Sequence, residues 1–239
     1  MTASPRRRGL IIAIDGPAGV GKSTVGTRVA RRLGYRFINT GEMYRALTWK
    51  ALEDGEDLHD PRALTRLAKR LEWDFRTDRA GVVIRTFIDG VGVTRGIREE
   101  RVSRNSSLVA GVTGVRRHLR ALQRALARDG CIVMEGRDIS TNVFPDADLK
   151  VFLDASVDER ALRRTRQLRA QGRPADLEDI RRAIAVRDEK DRSRRINPLK
   201  QAEDAVVIDS TRLNLREVAG RILALARERL RRRRGGGRP

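Results

Sequence analysis

The stretch Leu10-Ile-Ile-Ala-Ile-Asp-Gly-Pro-Ala-Gly-Val-Gly-Lys-Ser23 determines the fold expected for this 239-residue chain. Leu10–Ile14 is a short apolar run, which predicts a buried strand. Gly16–Ser23 matches the pattern G-x-x-x-x-G-K-S at every fixed position. Lys22–Leu33 predicts a helix that ends before Gly34. A strand, a glycine-rich turn and a helix in this order predict a loop that binds the phosphates of a nucleoside triphosphate.

Every residue of this phosphate loop is a candidate contact to ATP. Glycines let backbone N–H groups turn inward around a polyphosphate, and the start of the helix adds unpaired donors. The Lys22 ammonium group can reach the β- and γ-phosphates, and the Ser23 hydroxyl can ligate Mg²⁺. The predicted ATP-binding residues of the loop are Gly16, Pro17, Ala18, Gly19, Val20, Gly21, Lys22, Ser23 and Thr24.

Downstream, short apolar runs alternate with helical segments, which predicts an α/β fold with a doubly wound parallel sheet. The further predicted strands are 35–38, 131–134, 149–153 and 205–208. Glu72–Val93 does not fit this alternation, because apolar and polar residues alternate there around an Asp89-Gly90 turn. That segment predicts a small antiparallel sheet inserted into the domain. Ile97–Asp129 is predicted to be helical, with breaks near Gly111 and Gly114.

The charge of the chain is strongly positive but unevenly distributed. There are 52 Lys and Arg against 32 Asp and Glu, a net charge of +20. Residues 1–8 and 227–239 together carry +9, residues 160–195 carry +7, and the remainder carries only +4. The body of the chain therefore lacks the overall basic character of a nucleic-acid-binding domain. The Arg-rich C-terminal tail is left as a candidate polyanion-binding segment.

Several classes of protein are excluded by composition. No stretch approaches the roughly 18 apolar residues that a membrane span needs, so no membrane partner is expected. A single cysteine, Cys131, excludes an internal disulfide framework, and only two histidines argue against a histidine-based zinc site. The predicted location is the cytoplasm. An Asn-Lys-x-Asp guanine motif is lacking, and the chain is short for a motor or helicase core, which leaves a kinase of a small acceptor.

Candidate acceptor residues follow the second predicted strand. The sequence there is Asn39-Thr-Gly-Glu-Met-Tyr-Arg45. Ligands of a doubly wound sheet bind at the carboxyl ends of its strands, so Thr40 and Arg45 are placed to contact an acceptor phosphate. The alternative is structural, with Thr40 as a helix cap and Arg45 on the surface.

A second polar motif, Glu135-Gly-Arg-Asp138, follows the strand predicted at 131–134. An acidic residue at this strand end can hold a water bound to Mg²⁺, so Glu135 joins Ser23 as a predicted metal contact. Arg137 and Asp138 are expected to point into the same crevice. An internal ion pair is the alternative for these two residues.

The segment 160–195 is predicted to be an arginine-rich helical lid. Arg187, Asp191 and Arg194 lie at i, i+4 and i+7, hence on one helical face, and Arg160 and Arg164 repeat the i, i+4 spacing. Phosphoryl transfer needs positive charge that closes over the phosphates and excludes water. The alternative is a solvated, ion-paired helix surface.

Together these motifs resemble the bacterial cytidylate kinase family, from about Ile11 to Leu230. The resemblance also rests on Val143-Phe-Pro-Asp-Ala147, Phe152-Leu-Asp-Ala-Ser156 with Glu159-Arg-Ala161, and Asp209-Ser-Thr211. It implies transfer of phosphate from ATP to CMP or dCMP with Mg²⁺, giving ADP and CDP or dCDP. It also implies a five-stranded parallel sheet, an enlarged monophosphate-binding insert, a lid and a monomeric enzyme.

The resemblance assigns roles to individual residues. Catalytic roles are implied for Lys22, Arg137, Arg163 and Arg194. Arg160 and Arg164 are implied to join the loop in binding ATP. The implied CMP-binding residues are Thr40, Arg45, Ser107, Arg116, Arg137, Asp138, Arg187, Asp191 and Arg194. Among these, Ser107, Arg116 and Asp138 resemble the readers of the cytosine base. Asn39, Glu42 and Ser140 depart from the family pattern.

The predicted organisation is one kinase domain, 10–230, between two disordered basic tails, 1–9 and 231–239. Its core comprises 10–58, 130–159 and 196–230, its insert spans about 60–129, and its lid spans about 160–195. Two alternative functions remain. One is a kinase for a different monophosphate, and the other is an RNA- or ribosome-associated module anchored by the basic tail.

Overall fold

The computed structural model describes residues 9–235, so residues 1–8 and 236–239 of the predicted tails lie outside the described part. The helices and strands in chain order are β1 (Ile11–Asp15), α1 (Lys22–Leu33), β2 (Arg36–Asn39), α2 (Thr40–Glu53), α3 (Pro61–Arg70), β3 (Trp73–Thr77), β4 (Ile84–Ile88), β5 (Val91–Gly92), α4 (Glu100–Gly111), α5 (Thr113–Leu126), β6 (Ile132–Glu135), β7 (Leu149–Asp154), α6 (Val157–Ala170), α7 (Leu177–Arg192), β8 (Val206–Asp209) and α8 (Leu215–Gly235). A 3₁₀ turn at Gly96–Arg98 and a π-helical turn at Ile139–Val143 complete the set.

The central sheet has five parallel strands in the order β2-β6-β1-β7-β8. β1 is the middle strand and all five of its residues are buried. Its neighbours pair in register, with Ile11 opposite Ile132 and Ile12 opposite Leu149. The predicted five-stranded parallel sheet is therefore confirmed, and the carboxyl ends of β1, β2 and β6 lie side by side.

Helices cover both faces of this sheet, as predicted. Side chains along β1 alternate between two separate hydrophobic cores: Ile11 and Ala13 point to one, Ile12 and Ile14 to the other. The first core includes residues of α2, α3 and α5. The second includes residues of α1 and α8. A parallel strand covered on both faces explains why the first apolar run of the sequence is continuous.

The predicted antiparallel insert is also confirmed, as a three-stranded sheet ordered β3-β4-β5. Asp89 and Gly90 both have positive φ, 50° and 76°, which is the backbone of the tight hairpin turn between β4 and β5. The insert joins the central sheet directly, because the Phe37 amide donates to the Val82 carbonyl at 2.8 Å. Leu64 and Leu119 lie in the same core as Ile11, so the insert shares its core with the sheet.

Local signals set most helix ends. Asp60 caps α3 by accepting hydrogen bonds from the Arg62 and Ala63 amides at 2.7 and 3.1 Å. The predicted break in the helical segment lies at Val112, between α4 and α5, which is close to Gly111. The expected break at Gly114 is wrong, because Gly114 lies in the first turn of α5. A Cβ at this position would come within 2.3 Å of Thr65 Oγ1, so this glycine is needed for close packing against α3.

The structure corrects the predicted tails at both ends. Arg231–Gly235 was assigned to a disordered segment, but α8 continues through these residues. Arginine favours helix, and Glu228 forms an i, i+4 ion pair with Arg232. Gly9, assigned to the other tail, is buried, and its carbonyl accepts a hydrogen bond from Arg233 Nη1 at 3.1 Å.

Within residues 9–235, none of the helices combines the length and apolar character that crossing a membrane requires.

The shared core predicts that insert and sheet unfold together. Leu119→Ala removes a fully buried side chain from the insert and should lower the free energy of unfolding by about 2–5 kcal/mol.

Both tryptophans, Trp49 and Trp73, pack against this core, so their fluorescence reports the insert side. In urea titrations, fluorescence and circular dichroism should give coincident transitions. Ile222→Ala, in the core on the opposite face, is the matched control and should shift both probes equally. A tryptophan transition that precedes the circular dichroism transition would contradict a single cooperative unit.

Candidate active site

The phosphate loop leaves β1 through a turn that only glycine fits. Gly16 has a φ of 145°, and a Cβ there would lie 2.0 Å from the Leu153 carbonyl oxygen. Gly19 and Gly21 also have positive φ, 84° and 92°. α1 begins directly after Gly21 without a side-chain cap. Its first amides are therefore free to face an anion, as the sequence predicts.

Lys22 is buried at the centre of the loop. Its ammonium group donates hydrogen bonds to the Gly16 and Pro17 carbonyls at 2.8 and 2.6 Å. Burial lowers the pKa of Lys22, and the positive charge of Arg137 adds to this effect. A buried ammonium group held by neutral carbonyls lacks a full counter-charge, which is the situation that an incoming phosphate relieves.

Ser23 and Glu135, the two predicted metal contacts, lie within hydrogen-bond distance of each other. The Ser23 hydroxyl donates to Glu135 Oε1 at 2.6 Å, while Glu135 Oε2 is buried without a hydrogen-bond partner among the described residues. Burial raises the pKa of Glu135, and the nearby Lys22 charge opposes the shift. One hydroxyl and one carboxylate with an unused oxygen fit Mg²⁺, which completes its shell with water and substrate phosphate. In residues 9–235, no three His, Cys, Asp or Glu side chains come together in a group that could hold a metal ion by themselves.

Asp191 gathers the predicted acceptor-site arginines. Its carboxylate accepts from Arg137 Nε at 2.9 Å and from Arg194 Nη2 at 2.8 Å. The predicted common helical face is corrected here, because α7 ends at Arg192 and Arg194 lies beyond it. The contact with Asp191 nevertheless keeps Arg194 beside the others. Segments 136–137 and 187–194, far apart in sequence, are thus joined at the carboxyl edge of the sheet.

Positive charge accumulates around this carboxylate. Burial and the charge of Arg137 lower the pKa of Arg187 to about 10, and the Nε of Arg187 is buried without a hydrogen-bond partner among residues 9–235. The pKa of Arg45 is lowered by burial and further by Arg137 and Arg164. Burial likewise lowers the pKa of Arg194. Glu42 opposes the shift at Arg45, and Asp188, which also acts on Arg187, is already paired with Arg160. These carboxylates do not fully balance the guanidinium groups, so the cluster is suited to bind an anion.

Arg116 and Asp138 form a buried pair next to the arginine cluster. Arg116 Nη2 donates to Asp138 Oδ2 at 2.5 Å, and both residues are 5% exposed. Asn142 also donates to Oδ2, at 3.0 Å, whereas Oδ1 accepts no hydrogen bond from the described residues. The guanidinium of Arg116 lies over the Tyr44 ring, 5.4 Å from its centre, and its Nε has no partner within 9–235. The pair therefore offers one unused acceptor and one unused donor.

Some predicted ATP contacts are engaged within the protein. Arg160 is 2% exposed, pairs with Asp188 at 2.6 Å and donates to the Ala18 carbonyl of the loop at 3.2 Å. Arg163 bonds instead to Ser210, through the hydroxyl and the carbonyl at 3.2 and 2.6 Å. Arg164 is exposed and bonds to Gln167. Arg160 thus braces the loop, while Arg163 faces the segment after β8.

The remaining acceptor residues and departures lie at the start of α2 and on α4. The Thr40 hydroxyl donates to the Glu135 carbonyl at 2.8 Å, so it must rotate to reach a phosphate. Asn39 Nδ2 lies 3.5 Å from the Ser23 hydroxyl. Burial raises the pKa of Glu42, with Arg85, Arg45 and Arg98 opposing the shift. Ser107 is half-buried on α4, and no hydrogen bond joins it to Arg116 or Asp138 in the described part of the chain.

Sequence reasoning missed the role of Asp15, the last residue of β1. Its buried carboxylate accepts from the Ile139 and Ser140 amides at 2.8 and 2.7 Å, and from the Ser140 hydroxyl at 2.5 Å. These bonds tie the start of the phosphate loop to the turn that follows Arg137 and Asp138. An acidic residue at the end of a fully apolar strand was the available signal. Tyr44 and Asn142 were missed as well, although Asn142 lies one helical turn from Asp138.

A family model described as cytidylate kinase matches residues 12–228. The chain belongs to this family. It is 47% identical to a cytidylate kinase of Geobacillus sp. strain WCH70, over 94% of this chain and 99% of that one. It is 49% identical to a bifunctional pantoate ligase/cytidylate kinase of Synechococcus sp. strain JA-2-3B'a(2-13), over 97% of this chain. The chain spans 43% of the length of that relative.

A solved structure shares the fold of this cytidylate kinase family member. It is the crystal structure of an uncharacterized protein from Eubacterium ventriosum, with a TM-score of 0.50 at 11% identity. The match covers 92% of this chain and 99% of that one. The likeness supports the α/β architecture over the length of the domain.

The contacts of Asp15 predict that it positions the acceptor loop. Asp15→Ala leaves two buried amides without an acceptor and should lower the free energy of unfolding by roughly 1–3 kcal/mol. It should also raise the KM for the acceptor more than the KM for ATP, because the loop carries Arg137 and Asp138. Ser140→Gly removes only the hydroxyl bond and is the matched control, with a smaller effect on both. Thermal unfolding and steady-state kinetics measure these changes, and an Asp15→Ala enzyme with unchanged Tm and KM values would contradict the role.

Proposed function

We propose that this chain transfers the γ-phosphate of ATP to CMP or dCMP, giving ADP and CDP or dCDP. The observation that carries the proposal is the half-buried cluster of Arg45, Arg137, Arg187 and Arg194, which faces Lys22 at the carboxyl edge of the sheet. One edge of the sheet thus offers two neighbouring anion sites, one for a triphosphate and one for a monophosphate. Membership of the cytidylate kinase family supports CMP as the acceptor.

On the donor side, the loop amides and Lys22 hold the β- and γ-phosphates of ATP. The phosphates replace the Gly16 and Pro17 carbonyls as partners of the Lys22 ammonium group. Ser23 and Glu135 are placed to hold Mg²⁺ directly or through water. When bound, the ion neutralises charge that develops on the transferring phosphoryl group. Lys22 adds a fixed positive charge at the same place and costs no reorganisation during the reaction.

On the acceptor side, the arginine cluster binds and orients the CMP phosphate. Guanidinium groups can fork onto phosphate oxygens, which fixes the attacking oxygen in line with the bond that breaks. An attacking phosphate oxygen is already anionic near neutral pH, so no general base is required. The charge of Arg137 acts on both sites, because it lowers the pKa of Lys22 as well as those of Arg45 and Arg187. We assign Arg137 to contact both the transferring phosphoryl group and the acceptor phosphate.

The Arg116–Asp138 pair reads the base in this proposal. Cytosine carries an exocyclic amine, a donor, next to acceptor atoms. The unused Oδ1 of Asp138 suits the amine, and the unpartnered Nε of Arg116 suits a ring or carbonyl acceptor. Ser107 supplies a further donor from α4. Uracil has a carbonyl in place of the amine, which Asp138 repels, so the site discriminates against UMP.

The paired helices α6 and α7 act as the lid that the sequence predicts. Arg160 and Asp188 link them across 2.6 Å, so they form one unit that also touches the phosphate loop at Ala18. Arg164 is exposed on this unit, and Arg187 and Asp191 already face the acceptor side. Closure of the unit excludes water, which would otherwise accept the phosphoryl group. The monomeric state and the cytoplasmic location inferred from the sequence stay predictions.

Charge removal at the two anion sites should abolish turnover. Lys22→Ala and Arg137→Ala each delete a charge that stabilises the transferring group, a change that typically costs orders of magnitude in rate. Arg79→Ala, an exposed arginine on the insert, is the control for loss of one positive charge. A coupled ADP-release assay measures kcat and KM, and thermal unfolding checks the fold. Near-normal kcat/KM in either variant would refute the assignment.

Neutralising the base-reading carboxylate should relax the preference for CMP over UMP. Asp138→Asn keeps an acceptor for Arg116 and adds an amide donor that suits the uracil carbonyl, while Asp138→Ala removes the contact entirely. Both should lower the ratio of kcat/KM for CMP to that for UMP by at least about tenfold. Asn142→Ala removes the neighbouring donor but leaves the carboxylate, so it should keep the preference. An unchanged ratio in both Asp138 variants would exclude this reading of the base.

A kinase for a different monophosphate is the second candidate, and the same assay separates the two. ADP release is measured with CMP, dCMP, UMP, AMP and GMP as acceptors. The Arg116–Asp138 pair favours the cytidine nucleotides. Turnover that is faster with AMP or GMP would transfer the proposal to another acceptor while leaving the phosphoryl-transfer chemistry intact.

A further inference from the structure

The end of the molecule opposite the active site carries a second concentration of positive charge. Leu215, at the start of α8, packs against Gly21, at the start of α1, and the two helices lie against each other. Both helices follow a parallel strand and run back along the sheet. Their carboxyl ends therefore emerge together at the amino edge of the strands, away from the phosphate loop.

Exposed arginines occupy both helix ends and define what we call the arginine patch. Its members on α1 and α8 are Arg28, Arg31, Arg32, Arg227 and Arg231. Among the described residues, no acidic side chain forms an ion pair with any of these five, and Arg229, whose charge lowers the pKa of Asp204, lies on the other side of α8. The acidic groups nearby are already engaged: Glu228 pairs with Arg232, Asp148 lies 3.6 Å from Arg233, and Asp204 pairs with Lys150 at 2.8 Å. The patch is thus a surface of uncompensated guanidinium groups.

The first described residue of the chain lies at this same end. Arg233 Nη1 donates to the Gly9 carbonyl at 3.1 Å, so Gly9 is fixed beside the end of α8. Arg6, Arg7 and Arg8 directly precede Gly9 in the sequence. Gly9 and Arg233, more than 200 residues apart in sequence, are therefore neighbours, which the sequence did not reveal.

We propose that the arginine patch binds the phosphate backbone of a double-helical nucleic acid. Its cations are all arginine, whose planar fork matches phosphate oxygens. Single strands are bound largely by stacking on aromatic rings, and none of the Phe, Tyr and Trp side chains in residues 9–235 is exposed. A helix that lies on a membrane needs an apolar face, but the large exposed apolar residues, Val91, Leu108, Val186, Val207 and Leu215, belong to other surfaces. Phosphate contact without base contact fits this surface best.

The position of the patch makes nucleic-acid binding independent of catalysis. The phosphate loop and the arginine cluster lie at the carboxyl edge of the sheet, and the patch lies at the amino edge. A duplex on the patch leaves the acceptor site open, and ATP and CMP leave the patch free. The kinase can consequently be held on a polyanion while it works.

Binding of the full-length chain to a fluorescein-labelled 20-base-pair duplex of mixed sequence tests the proposal. Fluorescence anisotropy in 50–200 mM salt should show an affinity that falls steeply with salt, as expected for several phosphate contacts. Arg31→Gln, Arg227→Gln and Arg231→Gln combined should raise the Kd at 50 mM salt at least about tenfold and flatten the salt dependence. Kinetics with CMP should be unchanged by the triple variant and by saturating duplex. DNA and RNA duplexes should bind with similar affinity, because their phosphates are the shared ligand.

A matched control separates the patch from net charge. Arg62→Gln, Arg66→Gln and Arg79→Gln remove the same three charges from exposed arginines of the insert and should change the Kd less than about twofold. Equal weakening by the two triple variants would overturn the proposal, since it would leave net charge as the sole cause. Tighter binding to an equally long single strand, or binding to vesicles rich in phosphatidylserine but not to the duplex, would also overturn it.

Discussion

Mutual repulsion among buried cations is the constraint on which the rest of this structure depends. Lys22, Arg45, Arg137, Arg187 and Arg194 lie at one edge of a sheet, and burial and neighbouring cations lower the pKa of Lys22, Arg45 and Arg187, while burial lowers that of Arg194. Holding such charges together without substrate is unfavourable, so the fold has to compensate. Asp191 bridges Arg137 and Arg194, and loop carbonyls accept from Lys22. The compensation is partial, and bound polyanionic substrates neutralise the positive potential that remains.

The backbone around this edge is built to keep the cations in place. Gly16 turns the chain against the Leu153 carbonyl, where no Cβ fits. Directly after the loop, Ser23 bonds to Glu135 at the end of β6. Asp15 then fastens the turn at Ile139 and Ser140 with buried hydrogen bonds. Donor loop and acceptor loop are consequently parts of one rigid network. A rigid network at the site costs little further reorganisation during phosphoryl transfer.

The net charge of +20 separates into parts with different physical roles. In segment 160–195, Arg160 braces the phosphate loop through Ala18, whereas Arg187 and Arg194 surround Asp191. The arginines of α8 do neither, because they lie on the exposed side of a helix that packs on the core through Ala226 and Leu230. Their helical conformation is stabilised by an i, i+4 pair and by the contact of Arg233 with Gly9. The same residue type therefore serves substrate binding at one edge of the sheet and remains exposed at the other.

The sequence by itself determined the elements that depend on local chemistry. The strand–loop–helix at the start, the Asp60 cap, the Asp89-Gly90 turn and the residues of the phosphate loop all follow from short-range patterns. Family resemblance added the acceptor residues. Neither local patterns nor the resemblance predicted the contacts between distant segments. These are the hydrogen bonds of Asp15 to Ser140, the bridge of Asp191 between Arg137 and Arg194, and the hydrogen bond that holds Gly9 to the end of α8. Local backbone preferences are encoded within a few residues, whereas these pairs form only when the sheet brings its strand ends together, so tertiary structure alone decided them.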